Sequence, residues 1–247
     1  MDPTLVIVIT VVIACLVVPM LLFMQQYTFA DRQVQMRGLA NQLGMEFMKS
    51  VPLSQLGSIS TAKLLHQYDD GRVVHFMFGQ TDQARIQIFD FEYTYWSGKY
   101  RRTSRQTVVS MTFAGLQLAP CHVYPESCLN FIAELLGDQD INFDDHPEFS
   151  RTFVVQSHFE EETRQMFDRT LMDFFCQDPE LNFESTRTAF LLYRPGQVLS
   201  PAQIQGVMTD AYNMYQELGA SQQRRPSNPA IQTIQARSVE GNQPTTF

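Results

Sequence analysis

Hydrophobic positions divide the chain into four regimes. Residues 5–24, Leu5 to Met24, form an apolar run that only Thr10 and Pro19 interrupt, and no residue in it is charged. Twenty helical residues at about 1.5 Å rise span roughly 30 Å, the thickness of a bilayer's hydrocarbon core. The run predicts a transmembrane anchor over 1–24. From Gln25 to about Met48 the apolar residues Met36, Leu39, Leu43 and Phe47 recur at three- and four-residue steps. That is helical period, and it predicts a juxtamembrane helix within 25–50. Residues 51–219 alternate apolar and polar stretches as a folded domain does. After Ala220 the chain is dominated by Gln, Ser, Arg, Pro and Asn, which predicts a disordered tail over 220–247.

Within 51–219 the period switches repeatedly. A short helix is expected near Ala62–Gln67. Arg72–Phe78 and Ala84–Trp96 read as strands. In the second, Ile86, Ile88, Asp90, Glu92 and Thr94 alternate with Gln87, Phe89, Phe91, Tyr93 and Tyr95, so the aromatics share one sheet face. Ser97-Gly98-Lys99 turns the chain and Tyr100–Phe113 returns as the partner strand. Gln117–Tyr124 reads as a further strand, limited by Pro120 and Pro125. Ser127–Leu136 reads as a helix, Asp138–Pro147 as an acidic loop, Thr152–Gln156 as a strand and Glu160–Cys176 as one helix. Leu181–Glu184 and Thr188–Tyr193 form a second strand pair. Ser200-Pro201 opens a last helix, with Ser200 as N-cap, and Gly219 is expected to stop it. Hairpins separated by helices predict an α+β fold: one N-terminal transmembrane helix, then a domain with an antiparallel sheet and packed helices. The length leaves room for one domain or two lobes sharing a core, 51–137 and 138–219.

Composition narrows the partners. A net charge of −8 argues against nucleic acid, whose phosphates need a basic face. Cys15 lies in the anchor, and the other three cysteines, Cys121, Cys128 and Cys176, are an odd number at irregular spacing. They read as reduced thiols rather than a disulfide framework, and spacing does not decide whether Cys121 and Cys128 pair. No small-residue cleavage site ends the apolar run, so it reads as an uncleaved signal-anchor in contact with membrane lipid. Val12-Ile13-Ala14-Cys15 lacks the setting of a lipoprotein site. Arg32 and Arg37 follow the run closely, which puts the N-terminus outside and the domain in the cytoplasm.

Chemistry-bearing patterns are sparse. Asp138, Asp140 and Asn142 match the first ligands of a calcium loop, but Phe143 and Phe149 occupy the positions that need Gly and Glu. An Asp144 or Asp145 cap is the plainer reading of that loop. No zinc spacing, phosphate loop or nucleophile elbow is present, and no cofactor, metal site or catalytic residue is assigned. Lys99, Arg101, Arg102 and Arg105 cluster at the hairpin tip beside Tyr95, Trp96 and Tyr100, a pattern suited to membrane or anionic-partner contact. Asp90, Glu92 and His122 are the candidates for a small-ligand or enzymatic pocket.

Leu39-Ala40-Asn41-Gln42-Leu43-Gly44 after an N-terminal span resembles a widespread set of uncharacterised bacterial single-span membrane proteins. Ile88-Phe89-Asp90-Phe91-Glu92-Tyr93-Thr94-Tyr95 with Ser97-Gly98-Lys99 and Arg101-Arg102-Thr103 is similar to their tyrosine-rich hairpin. Asp140-Ile141-Asn142-Phe143, Glu148-Phe149-Ser150-Arg151-Thr152-Phe153-Val154-Val155 and Met172-Asp173-Phe174-Phe175 extend the likeness, which covers Leu39 to Tyr193. The resemblance implies a bacterial source and an inner-membrane home, and supplies no enzymatic activity. The sequence therefore predicts a membrane-anchored domain with an unidentified protein partner in an interaction or scaffold role. The alternative is a membrane-bound enzyme or ligand binder.

Overall fold

The computed structural model describes residues 31–81, 84–128 and 140–224. The first element is helix α1, whose described part covers 31–43. It buries Met36, Leu39 and Ala40, as the helical spacing requires. The helix does not continue to Met48. Gly44 takes φ +66°, a left-handed conformation that ends helices, and the chain turns into strand β1, Glu46–Val51. The apparent periodicity through Phe47 therefore crosses a helix end.

Two short 3-10 segments, Leu53–Ile59 and Lys63–Leu65, stand where one helix over 62–67 is expected. The long meander follows: β2 Asp69–Gln80, β3 Ala84–Ser97 and β4 Tyr100–Phe113. Then come β5 Cys121–Pro125, α2 Pro147–Thr152, β6 Phe153–Gln156, α3 Glu160–Met166 and α4 Arg169–Cys176. The described chain closes with β7 Asn182–Ser185, β8 Ala189–Tyr193 and α5 Pro201–Arg224. The fold is α+β, and all eight strands join one antiparallel sheet in the order β1-β2-β3-β4-β8-β7-β5-β6. Lobes 51–137 and 138–219 are not separate: β5 sits between β7 and β6, so the two stretches interleave.

Three further boundaries differ from the sequence reading. The helix expected over Glu160–Cys176 breaks at Phe167, because Asp168 turns out of helical geometry and its carboxylate caps Leu171 N–H at 3.0 Å. Helix α2 is capped by His146, whose Nδ1 accepts from Phe149 N–H at 3.2 Å, and not by Asp144 or Asp145. Helix α5 runs through Gly219 to Arg224, and its buried stripe of Ile204, Val207, Ala211, Met214 and Leu218 packs the helix as far as Leu218. Its N-terminus matches expectation. Ser200 N–H donates to Gln203 Oε1 at 2.9 Å while Gln203 N–H reaches Ser200 Oγ at 3.4 Å, a capping box. The anchor over 5–24, the helix expected at Ser127–Leu136 beyond Cys128, and the tail after Arg224 lie outside the described residues. Among the described residues no helix is long and apolar enough to cross a membrane.

The sheet has two unlike faces. Helices α1, α4 and α5 cover one, over Met77, Ile88, Val109, Met111, Val123, Phe183 and Leu192. Phe149, Phe153, Phe167, Phe175, Phe183 and Phe190 meet ring to ring there, at centroid separations of 5.4–6.5 Å. Each fully buried ring contributes roughly 1.5–3 kcal/mol. The opposite face, with Phe89, Phe91, Tyr93, Val108 and Leu191, is covered among the described residues by Leu56, Ile59, Leu64 and Leu65 of the 3-10 segments, with Ala62 and Tyr68 beside them.

Candidate functional site

Strand β3 presents two carboxylates on the helix-covered face, and the structure treats them differently. Asp90 is wholly buried. Arg32 of α1 grips it bidentately, Nε and Nη2 donating at 2.9 Å each. Thr107 Oγ donates to the same carboxylate at 2.8 Å, and His75 Nδ1 lies 3.0 Å from it. His75 reaches this point because β2 carries a bulge between Val74 and Met77, where His75 takes φ +51°. Arg32 Nη1 also donates to the Leu199 carbonyl at 2.8 Å, and Leu199 N–H donates to Thr107 Oγ at 3.0 Å. One network thus ties α1, three strands and the entry to α5. Burial alone would push the Asp90 carboxyl up. The hydrogen bonds from Arg32, His75 and Thr107, with the Arg32 charge, outweigh it and hold the pKa at about 2. The space at the Asp90 carboxylate is filled by the Arg32 guanidinium.

Two residues on, Glu92 pairs with Arg105 through Nε at 3.1 Å and Nη2 at 2.7 Å, and with Arg72 from β2. Burial raises its pKa and the two arginines more than offset this, leaving it below the usual range. Of the four basic residues expected at the tip, Arg105 is thus committed inward, and Arg101 pairs with Asp70. Lys99 and Arg102 are exposed at the tip with Trp96 and Tyr100.

His122 lies on the other face of the sheet, so the structure does not bring it together with Asp90 and Glu92. It lines a cleft of about 360 Å³ with Lys63, Cys121, Gln156, His158, Glu184 and Arg187. Strand register sets the floor: His122 is paired with Gln156 on one side and with Glu184 on the other. His122 Nε2 is 3.0 Å from Tyr193 Oη. Gln156 Nε2 donates to Asp140 Oδ1 at 3.0 Å, and its buried Oε1 has no partner among the described residues. Glu184 accepts from the backbone N–H groups of Lys63 and Leu64. Burial pushes its pKa up to about 7 against those two bonds. Burial lifts the Cys121 thiol to about 12 in spite of the Ser185 hydroxyl at 3.2 Å, which disfavours the nucleophilic thiolate. Among the described residues no group of three or more His, Cys, Asp or Glu converges as metal ligands do.

Sequence reasoning missed Glu184 and Gln156, which sit in strands short enough to read only as core. It also missed the role of Arg32, whose partner is 58 residues away.

No family model matches the chain, and no curated protein matches it. The fold is similar to the crystal structure of the mycobacterial trehalose monomycolate transport factor A, TtfA, with a TM-score of 0.51 at 11% sequence identity. The match covers 78% of this chain and 96% of that one. At that identity the likeness is one of fold.

Proposed function

We propose that this protein is a single-pass protein of the bacterial inner membrane. Residues 5–24 hold it, the N-terminus lies outside, and the α+β domain in the cytoplasm serves as a protein-interaction or scaffold module. The observation that carries the reading is the Arg32 lock. It fixes the first described turn of α1 to the sheet, so only Gln25–Asp31 separates the apolar run from a rigid domain. A domain held this closely is presented at the membrane surface, where a partner in the same membrane meets it at high effective concentration.

Burial of Arg32 does not remove it from the orientation argument. Orientation is set by flanking Lys and Arg during insertion, before Asp90 has been brought to Arg32 by folding. The fold neighbour is named as a trehalose monomycolate transport factor, which is compatible with a transport-related role at a membrane.

A reporter fused after Phe247 is expected to be active only if it works in the cytoplasm. A periplasmic signal would reverse the topology. Cross-linking in intact membranes followed by affinity capture is expected to yield a defined membrane partner, and a chain recovered alone removes the scaffold reading.

The unpartnered Gln156 Oε1 in the His122 cleft favours one second reading, a small polar ligand bound there. A metabolite screen is then expected to raise the melting temperature with one ligand class, by an amount that Q156A reduces. A flat screen dismisses this reading.

A further inference from the structure

The tip of the β3–β4 hairpin stands clear of the rest of the sheet. Pairing of β2 with β3 ends at Thr94, opposite Asp69, and pairing of β8 with β4 ends at Val108. The rungs Tyr95–Arg102, Trp96–Arg101 and Ser97–Tyr100 lie beyond both. Trp96 is 64% exposed and Tyr100 73% exposed. In water two large rings at the extremity of a ribbon forgo their burial. Indole and phenol rings are the side chains that settle at the boundary between headgroups and acyl chains. From Tyr95 to Thr103 the ribbon carries Lys99, Arg101 and Arg102 and no acidic residue. Arg101 is turned back to Asp70, and Lys99 and Arg102 make no ion pair among the described residues.

The path of α1 says which way this tip faces. Arg32, in its first described turn, lies at the rung of Asp90 and Thr107. Met45, just past its C-terminal end, lies against Gly79, which pairs with Ile86 further from the tip. The described part of the helix therefore crosses the sheet diagonally with its first turn toward the hairpin end. From Asp90 to Ser97 the ribbon extends about 23 Å at about 3.3 Å per residue. Gln25–Asp31, fully extended, reaches at most about 24 Å. A tether of that length can reach as far from the body of the domain as the ribbon does.

We infer that the hairpin tip docks on the anionic headgroup surface of the bilayer that holds residues 5–24. Trp96 and Tyr100 seat at the interface, and Lys99 and Arg102 meet lipid phosphates. This rests on the anchored reading above. Two free cations suffice for docking because the anchor already confines the tip to the surface.

Trp96 is the only tryptophan in the chain, so its emission reports the tip alone. The full chain is reconstituted in vesicles of phosphatidylcholine with or without phosphatidylglycerol. In the anionic vesicles Trp96 emission is expected to shift to the blue and to be quenched by lipids brominated near the headgroup end of the acyl chain. K99A/R102A is expected to lower the docked-to-undocked ratio about 30-fold. K99E/R102E is expected to return the emission to that of solvent-exposed indole, with flotation and melting temperature unchanged. Solvent-like, unquenched Trp96 in a chain that still floats overturns the docking and leaves the anchor standing. A chain that fails to float overturns both. Quenching that survives charge reversal overturns the assignment to anionic lipid. Shielding of Trp96 only after membrane proteins are added assigns the tip to a protein and also overturns it.

Discussion

Asp90 and Glu92 are two residues apart on one strand, share one face and are both held by arginine, yet they perform different tasks. Asp90 is sealed with Arg32, Thr107 and His75 under α1, whereas Glu92 is clamped by Arg105 and Arg72 at the margin of the covered region. Further out, the exposed Asp70–Arg101 pair repeats the chemistry in solvent. The contrast separates charge from position. Taking a carboxylate and a guanidinium out of water is costly, and only complete mutual satisfaction offsets it. A site built that way tolerates no missing member and so fixes α1 in one place. The outer pairs gain little and constrain little.

Breaking the inner pair gives the largest expected effect. D90N leaves the buried Arg32 uncompensated, and urea unfolding of the full chain in detergent should show a loss of about 3–5 kcal/mol. R32M/D90N should recover a large part of it, because no orphan charge is left behind. The Asp90 pKa of about 2 lies below its ordinary 3.8, so its contribution is complete above pH 3.8 and is lost as pH falls toward 2.

Glu184 sharpens the comparison, since it is as buried as Asp90 but is met by backbone N–H groups in place of arginine. Its folded pKa of about 7 exceeds the ordinary 4.5. Stability from this group is therefore greatest below pH 4.5 and falls as pH rises through 7, by on the order of 3 kcal/mol. E184Q should flatten that limb of the stability–pH curve while leaving the acid limb governed by Asp90. E92Q should cost about 1 kcal/mol, because Arg105 and Arg72 retain access to water. D70N should change unfolding by less than about 0.5 kcal/mol. A D90N loss no larger than that of E92Q would abolish the distinction.

The same contrast explains what the sequence could reveal. Strand β4 matches its expected limits and β3 runs one residue further, taking Ser97 and leaving Gly98-Lys99 as the turn, because alternation is a local signal. Strand β1 was hidden because Leu39, Leu43 and Phe47 fall at helical spacing across a helix end, although Gly44 marked the stop. The break before α4 was likewise signalled by Asp168, a good N-cap residue inside an otherwise continuous apolar period. Arg32 carried no such sign. A charge next to an apolar run reads as a membrane flank, and only the tertiary fold supplies Asp90. Asp90, Glu92 and His122 gave no warning that they point to opposite faces, because the relation between β3 and β5 depends on strands that lie later in the chain.

The placement of β5 also sets an order of assembly. Its two neighbours are β6 and β7, so β5 gains its first partner only with residues up to Gln156 and its second only with residues up to Ser185. Arg32 waits longer still, for the Leu199 carbonyl. If residues 5–24 enter the membrane first, the nascent chain hangs there with β5 unpaired until β6 emerges and with the bonding of Arg32 incomplete until Leu199 does. Such an interval exposes unpaired strands to one another. Strand β8 closes the sheet by joining β4 to β7, and the Leu199 carbonyl at the entry to α5 then completes the bonding of Arg32.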